Sequence, residues 1–343
     1  MASPLIGDRR RYEPGTLGAA TLRRRPSQSL VVGRLRRAIQ RQWLAVVLIT
    51  LILAAVGIAY DLAGGVRPAA TAVYWAPLGL AVGLGFGLLR ELSRNRVTSI
   101  SSFGKHRGYT ILGASPELTP GALRQLPPDK RTPVGCLAFQ PSSAFATAFR
   151  DLQGAIGETR VLSFIGAIPN EGATTAALCT AISATQQGRR VIVLDCDLRR
   201  RSLTRALGYD VDEGVLEAAQ APESWRDYLA EEEETGLHFI PAGRLLSPWR
   251  TLTGAPGFSV LIEELSRAYD LIVLDCPPAL GNAEGTVIAS MAERTIVVTA
   301  WDRTPVSAVR NTMRALQRRP QLATGVYVNR VPAAYRFGRL RPD

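Results

Sequence analysis

From residue 161 onward the chain alternates short, continuously apolar runs with longer stretches whose apolar residues recur at helical spacing. The runs are Val161–Ile165, Val191–Leu194, Leu237–Ile240, Leu271–Leu274, Thr295–Thr299 and Gly325–Val328. Thr174–Gln187 (closed by Gly188), Phe258–Tyr269 and Ser307–Gln317 have helical spacing, and so has Ala144–Ile156 ahead of the first run, through Phe145, Phe149, Leu152 and Ile156. Short uninterrupted apolar runs suit strands covered on both faces, and such helices suit the crossovers that parallel strands require. The pattern predicts an α/β domain with a mostly parallel sheet over 143–334.

Two earlier apolar stretches differ in character. Leu44–Ala59 is uncharged and bracketed by Trp43 and Tyr60, and Ala69–Leu89 is uncharged and interrupted by Pro77. Such runs approach the ~20 residues of a spanning helix, and aromatic rings favour both interfaces. A cleaved signal is disfavoured, because the first run starts beyond residue 40 with no small-residue cleavage site. Gly79, Gly83 and Gly87 share one face, open to close approach by another helix. The expectation is a transmembrane hairpin over 43–89, preceding the α/β domain, with Asp61–Pro68 outside. Val97–Ser143 holds six prolines and no sustained period, so 90–142 reads as a cytoplasmic linker in which Tyr109–Leu112 and Val134–Phe139 are short apolar pieces.

Charge changes the picture through its placement. The formal net charge is +12, yet the segment 1–42 alone sets ten arginines against Asp8 and Glu13, and Arg90, Arg94 and Arg96 follow the second apolar run. Basic flanks on both sides put both termini of a two-pass membrane protein in the cytoplasm, with lipid rather than nucleic acid as the partner of these charges. The tail, 335–343, is also basic. Cys136, Cys179, Cys196 and Cys276 lack metal-type spacing and are expected to be reduced and buried.

The chemistry concentrates in Val161–Arg200, which reads as strand, glycine loop, helix and strand. Ala167, Ile168–Glu171, Gly172, Ala173 and Thr174 match the phosphate-loop pattern (Ala or Gly, four residues, Gly-Lys-Ser/Thr) at every place except the lysine. Backbone N–H groups and the helix N-terminus cradle phosphate in such a loop, while the lysine neutralises its outer oxygens. Ala173 supplies no charge, and the only lysines, Lys105 and Lys130, precede the loop. The candidate nucleotide-binding residues are Pro169, Asn170, Glu171, Gly172, Ala173, Thr174 and Thr175. Ligands of parallel sheets sit at the carboxyl ends of strands, where Asp195, Asp197 and Asp275 fall. Thr174, Asp195 and Asp275 are the candidate Mg²⁺ ligands; of Asp195 and Asp197, which alternate, one points inward and the other braces it. ATP and Mg²⁺ are thus the expected ligands, held weakly. Glu231–Glu234 reads as a solvated loop.

Pro169-Asn170-Glu171-Gly172-x-Thr174, then Val193-Leu194-Asp195-Cys196-Asp197-Leu198-Arg199, then Tyr269–Asp275 followed by Cys276-Pro277-Pro278, resemble the Walker A, second acidic and Walker B motifs of the bacterial tyrosine autokinases of capsule and exopolysaccharide assembly. Gly325–Asn329 resembles that family's closing strand, which implies a place for Asn329 near the adenine. The resemblance covers Ser143–Val331, and two membrane helices ahead of it match the polysaccharide co-polymerase arrangement. It implies partners in the polymerase and export machinery and a ring of like subunits. Several family features are degraded here. The lysine is Ala173, the ring motif keeps only Arg150 within Thr147–Gln153, the tail after Asn329 offers Tyr335 alone, and the external domain shrinks to Asp61–Pro68. The sequence therefore points to a membrane-anchored, tyrosine-autokinase-like protein without efficient catalysis, a scaffold or regulator. Alternatives are an active kinase or ATPase drawing phosphate charge from Arg199–Arg201 or a partner subunit, and a membrane-tethered positioning ATPase, against which the double helix and Pro277-Pro278 count.

Overall fold

The computed structural model describes residues 47–60, 63–64, 75, 77–86, 96–97, 110–245, 247, 249–317 and 323–332. The chain divides into two compact units, 1–94 and 95–343. In the first, helices run over 47–60 and 77–86. A Cβ on Gly79 would lie 3.1 Å from the Thr50 backbone, so the two helices touch where the glycine leaves room; Gly83 is also buried. Gly87 lies outside the described residues, as do the basic segment 1–42 and the tail with Tyr335. No helix among the described residues is long and apolar enough to cross a membrane. The described helices cover only part of each expected span.

The second unit is built on one sheet. Its strands are β1 (Thr110–Pro116), β2 (Val161–Gly166), β3 (Val191–Asp195), β4 (Ala230–Glu232), β5 (Leu237–Ile240), β6 (Leu271–Asp275), β7 (Arg294–Ala300) and β8 (Ala323–Val331). They lie in the order β1-β8-β7-β2-β6-β3-β5-β4, with every pairing parallel except that of β4 with β5. Apolar residues cover both faces. Val191 and Val193 join one core with Phe149, Leu178 and Ile182, while Ile192 and Leu194 join the other with Leu261, Leu265 and Val309. This two-sided burial is why the central strands read as uninterrupted apolar runs.

The main helices are α1 (Pro133–Phe139), α2 (Ala144–Ile156), α3 (Ala173–Thr185), α4 (Ser202–Ala206), α5 (Phe258–Ala268) and α6 (Val306–Leu316). Ser143 caps α2 by accepting from the Ala146 N–H at 3.1 Å, and α2 ends at Gly157, whose φ of 61° few other residues adopt without strain. Its buried face carries the predicted Phe145, Phe149, Leu152 and Ile156.

Two expectations need correction. Much of the stretch read as linker belongs to the domain: β1 pairs with β8 at the sheet edge, and α1 buries Gly135, Cys136 and Leu137. Pro116 sits at the end of an edge strand, where a missing N–H costs least. The acidic stretch is not wholly loop either, because Ala230–Glu232 forms the far edge strand with Glu231 exposed. Charge on an edge strand discourages pairing with another sheet. Arg96 and Val97 also join this unit. Val97 is fully buried, donates its N–H to the Thr304 carbonyl at 2.9 Å and accepts from the Asp302 N–H at 2.7 Å, while Arg96 donates to the Asp302 carbonyl.

Candidate functional site

The site forms at the carboxyl end of β2, the strand from which the connections diverge to either side of the sheet. The loop leaving β2 is clamped by the segment after β6: the Ala279 and Leu280 N–H groups donate to the Gly166 and Ala167 carbonyls at 2.9 and 3.0 Å. Asn170 has φ 66° and Gly172 φ 91°, the latter directly capping α3. A Cβ on Gly172 would fall 2.0 Å from Asn329 Nδ2, so both backbone shape and space demand glycine.

Glu171 props the loop from within. It is 2% exposed and accepts from the Ile168 N–H at 2.8 Å and from the Thr304 hydroxyl. Burial pushes its carboxyl up to about 7, against the pull of the Thr304, Ile168 and Ala167 donors. Thr304 stands in the same turn that grips Val97, so the segment at 96–97 is one residue removed from the phosphate loop's prop. Asn329 holds the other side. Its Nδ2 donates to the Glu171 carbonyl at 3.0 Å, and its Oδ1 accepts from the Ser115 hydroxyl at 2.9 Å and the Arg330 N–H at 2.8 Å. The residue that the resemblance places near an adenine is here a brace of the loop, 8% exposed.

A cavity of about 370 Å³ opens above this framework. Asn170, Glu171, Gly172, Ala173, Thr174, Thr175 and Asp197 all line it, whereas Pro169 does not. The carboxylates divide their duties. Asp195 and Asp275 are register partners on β3 and β6, and both are buried. Asp195 Oδ2 accepts from the Thr204 N–H and hydroxyl at 2.8 and 2.7 Å, and its Oδ1 accepts from the Asp197 N–H at 3.2 Å. Burial raises it to about 6 despite these bonds, with the charge of Asp197 adding to the rise. Asp195 thus braces α4 and does not line the cavity, and Asp197 is the member of the pair that does.

Asp275 is the opposite case. It is 1% exposed, lies beneath the cavity and not in its lining, and beside the Thr174 hydroxyl its carboxylate oxygens have no well-formed hydrogen bond. Burial and the neighbouring Asp195 drive its pKa well up, only partly offset by the Thr174 hydroxyl. A buried carboxylate left unsatisfied is costly, and a cation's water shell is the partner that relieves it. The cradle and Asp275 thus fit a magnesium-bound nucleotide. The Ala173 position does not fit a tightly held outer phosphate.

Sequence reasoning missed Arg330, which lines the same cavity, and the bracing roles of Thr204, Thr304 and Ser115. Arg200, within the arginine run noted above, lines the cavity too. Arg201 does not: its guanidinium is spent on the Ala242 and Val211 carbonyls and on Asp210. All four cysteines are free and buried.

Residues 165–321 match the family model described as an AAA domain. EpsB of Ralstonia solanacearum, whose tyrosine-protein kinase name is provisional, is 25% identical over 275 residues, covering 76% of this chain and 37% of that one. The succinoglycan biosynthesis transport protein ExoP of Rhizobium meliloti is 27% identical over 199 residues, 55% of this chain and 25% of its own. The chain thus spans between a quarter and little more than a third of the length of these relatives. Among solved structures, the kinase domain of the Escherichia coli tyrosine kinase ETK superposes with a TM-score of 0.61 at 19% identity, covering 67% of this chain and 93% of that domain, which shows a shared fold. These findings bear out the resemblance carried by the three motifs.

Proposed function

From this kinship with bacterial tyrosine-protein kinases, within an AAA-type P-loop fold, we propose that the chain is a membrane-anchored, tyrosine-autokinase-like protein of exopolysaccharide synthesis or export that acts as a catalytically degenerate scaffold. The observation that carries this reading is Ala173 at the entry of α3, in a site whose other parts are intact. The loop N–H groups and Thr174 would hold a nucleotide's phosphates, and Asp275, buried beneath them, would accept from the water around a bound Mg²⁺. When bound, the magnesium nucleotide supplies a phosphoryl group activated for transfer. What the chain lacks is the lysine charge that follows that group as it leaves. A donor aimed at developing charge is typically worth ~10²–10³ in rate. The arginine-flanked apolar stretches at 44–59 and 69–89 support a two-pass anchor in the bacterial inner membrane with both termini cytoplasmic. Polymerase and export proteins, lipid and further copies of the chain are its proposed partners.

The test is phosphotyrosine formation by the full chain, purified in detergent and incubated with ATP and Mg²⁺. No phosphotyrosine is expected. Robust phosphotyrosine that disappears in Asp275→Ala would overturn the scaffold reading and establish an active kinase.

A further inference from the structure

Two arginines line the cavity from opposite flanks of the phosphate loop. Arg200 comes from the turn after β3, and Arg330 from the end of β8. β3 and β8 lie on opposite sides of β2 in the sheet order, so the loop leaving β2 sits between them. Neither side chain has a hydrogen-bond or ion-pair partner among the described residues, in contrast to Arg201, Arg190 and Arg244.

Arg330 is placed by a local irregularity. Between the pairs Ala114↔Val328 and Pro116↔Val331, β1 advances two residues and β8 three, so Asn329 and Arg330 together oppose Ser115. Such a bulge re-aims a side chain that regular pleating would send elsewhere. Arg330 adopts φ 60°, a left-handed conformation uncommon for arginine, and the Asn329 Oδ1 bond to its N–H holds it there. Left-handed backbone at a long side chain persists only where the surroundings impose it. Here they turn one residue, Asn329, onto the loop and set the next, Arg330, in the cavity lining.

We propose that Arg330, with Arg200 opposite, supplies the positive charge missing at Ala173, and that the ligand is the terminal phosphates of a nucleoside di- or triphosphate. The inference rests on the proposed nucleotide site and deepens it. Arginine binds phosphate oxygens in a planar, two-pronged manner. Placed on the rim instead of at the entry of α3, it holds the bound phosphate without following a phosphoryl group in transfer. Binding then survives where catalysis does not, and nucleotide becomes a signal that the scaffold reads.

The experiment measures displacement of a fluorescent ATP analogue by ATP, ADP and AMP, with Mg²⁺, on the full detergent-purified chain. Arg330→Gln and Arg200→Gln are each expected to weaken ATP and ADP binding about tenfold, with little change for AMP and with unchanged thermal melts. Arg330→Lys should recover part of the loss. In an Ala173→Lys background, Arg330→Gln should cost distinctly less, because the lysine then serves the same phosphates; a merely structural arginine would cost the same in both backgrounds. Undiminished ATP binding in both glutamine variants, equal losses for AMP and ATP, or no nucleotide binding by the unmodified chain would each overturn the proposal. All three would leave the scaffold reading standing. Phosphotyrosine formation, in turn, removes the scaffold reading without touching the arginine assignment.

Discussion

Glu171 couples the loop to pH. Its carboxyl sits at about 7 in the folded chain against 4.5 when free, so between those values the folded state holds a proton that the unfolded state has released. Stability contributed by this group is therefore full below about pH 4.5, falls as pH rises toward 7, and is lost above it. The shift corresponds to about 3 kcal/mol at most. Glu171→Gln should flatten stability between pH 4.5 and 7 relative to the unmodified chain and raise it at pH 8, as read by denaturant unfolding at each pH. An unchanged slope would mean that the carboxyl titrates normally. Asp195 makes a second residue-scale case. Thr204→Val removes one donor to a buried carboxylate and should cost about 1–3 kcal/mol, or a few degrees in Tm for a domain of this size. A melting temperature within one degree of the parent would contradict the brace.

At the scale of elements, the parallel core was legible because strands covered on both faces can carry little but Val, Ile and Leu. All six of the predicted runs are strands of the sheet. β1 was legible only as the fragment Tyr109–Leu112, since Gly113 and Pro116 interrupt it, and β4 is three residues with two glutamates. Edge strands tolerate such residues, so their sequences resemble loops. In the site, the loop and the three aspartates could be read from spacing. Which aspartate braces and which reaches the cavity could not, because that depends on Thr204 arriving from α4. Nor could the aim of Arg330, which depends on a bulge set by another strand. The clip at 96–97 follows from the same kind of distant pairing. Val97→Asp puts a charge into a fully buried position and should release the turn at 302–305. Amide exchange should then accelerate in that turn and, through Thr304 and Glu171, in 168–175. Acceleration confined to the turn would show that the clip and the phosphate loop are independent.

At the scale of the whole molecule, two helices precede the α/β unit that carries the proposed nucleotide site. If the hairpin spans the membrane, a cysteine at Gly64→Cys should be labelled by an impermeant reagent on intact cells, and one at Lys105→Cys should not. The native cysteines are buried and give a low background. The reverse pattern would invert the topology. The glycine contact adds a packing test: Gly79→Leu would drive a side chain into the Thr50 backbone, and lower levels of the protein in membranes are expected. Normal levels would mean that the helix contact contributes little. The central claim is that the missing lysine limits how tightly the site holds a nucleotide, while the ring motif, reduced to Arg150, keeps a held nucleotide from being used. Its most direct test compares the full chain with Ala173→Lys in the same preparation, measuring ATP affinity and phosphotyrosine together. A charge-assisted hydrogen bond is worth about 1.5–3 kcal/mol, so affinity should rise on the order of ten- to a hundredfold while phosphotyrosine stays at background. Unchanged affinity in Ala173→Lys, or tyrosine phosphorylation already strong in the unmodified chain, would contradict it.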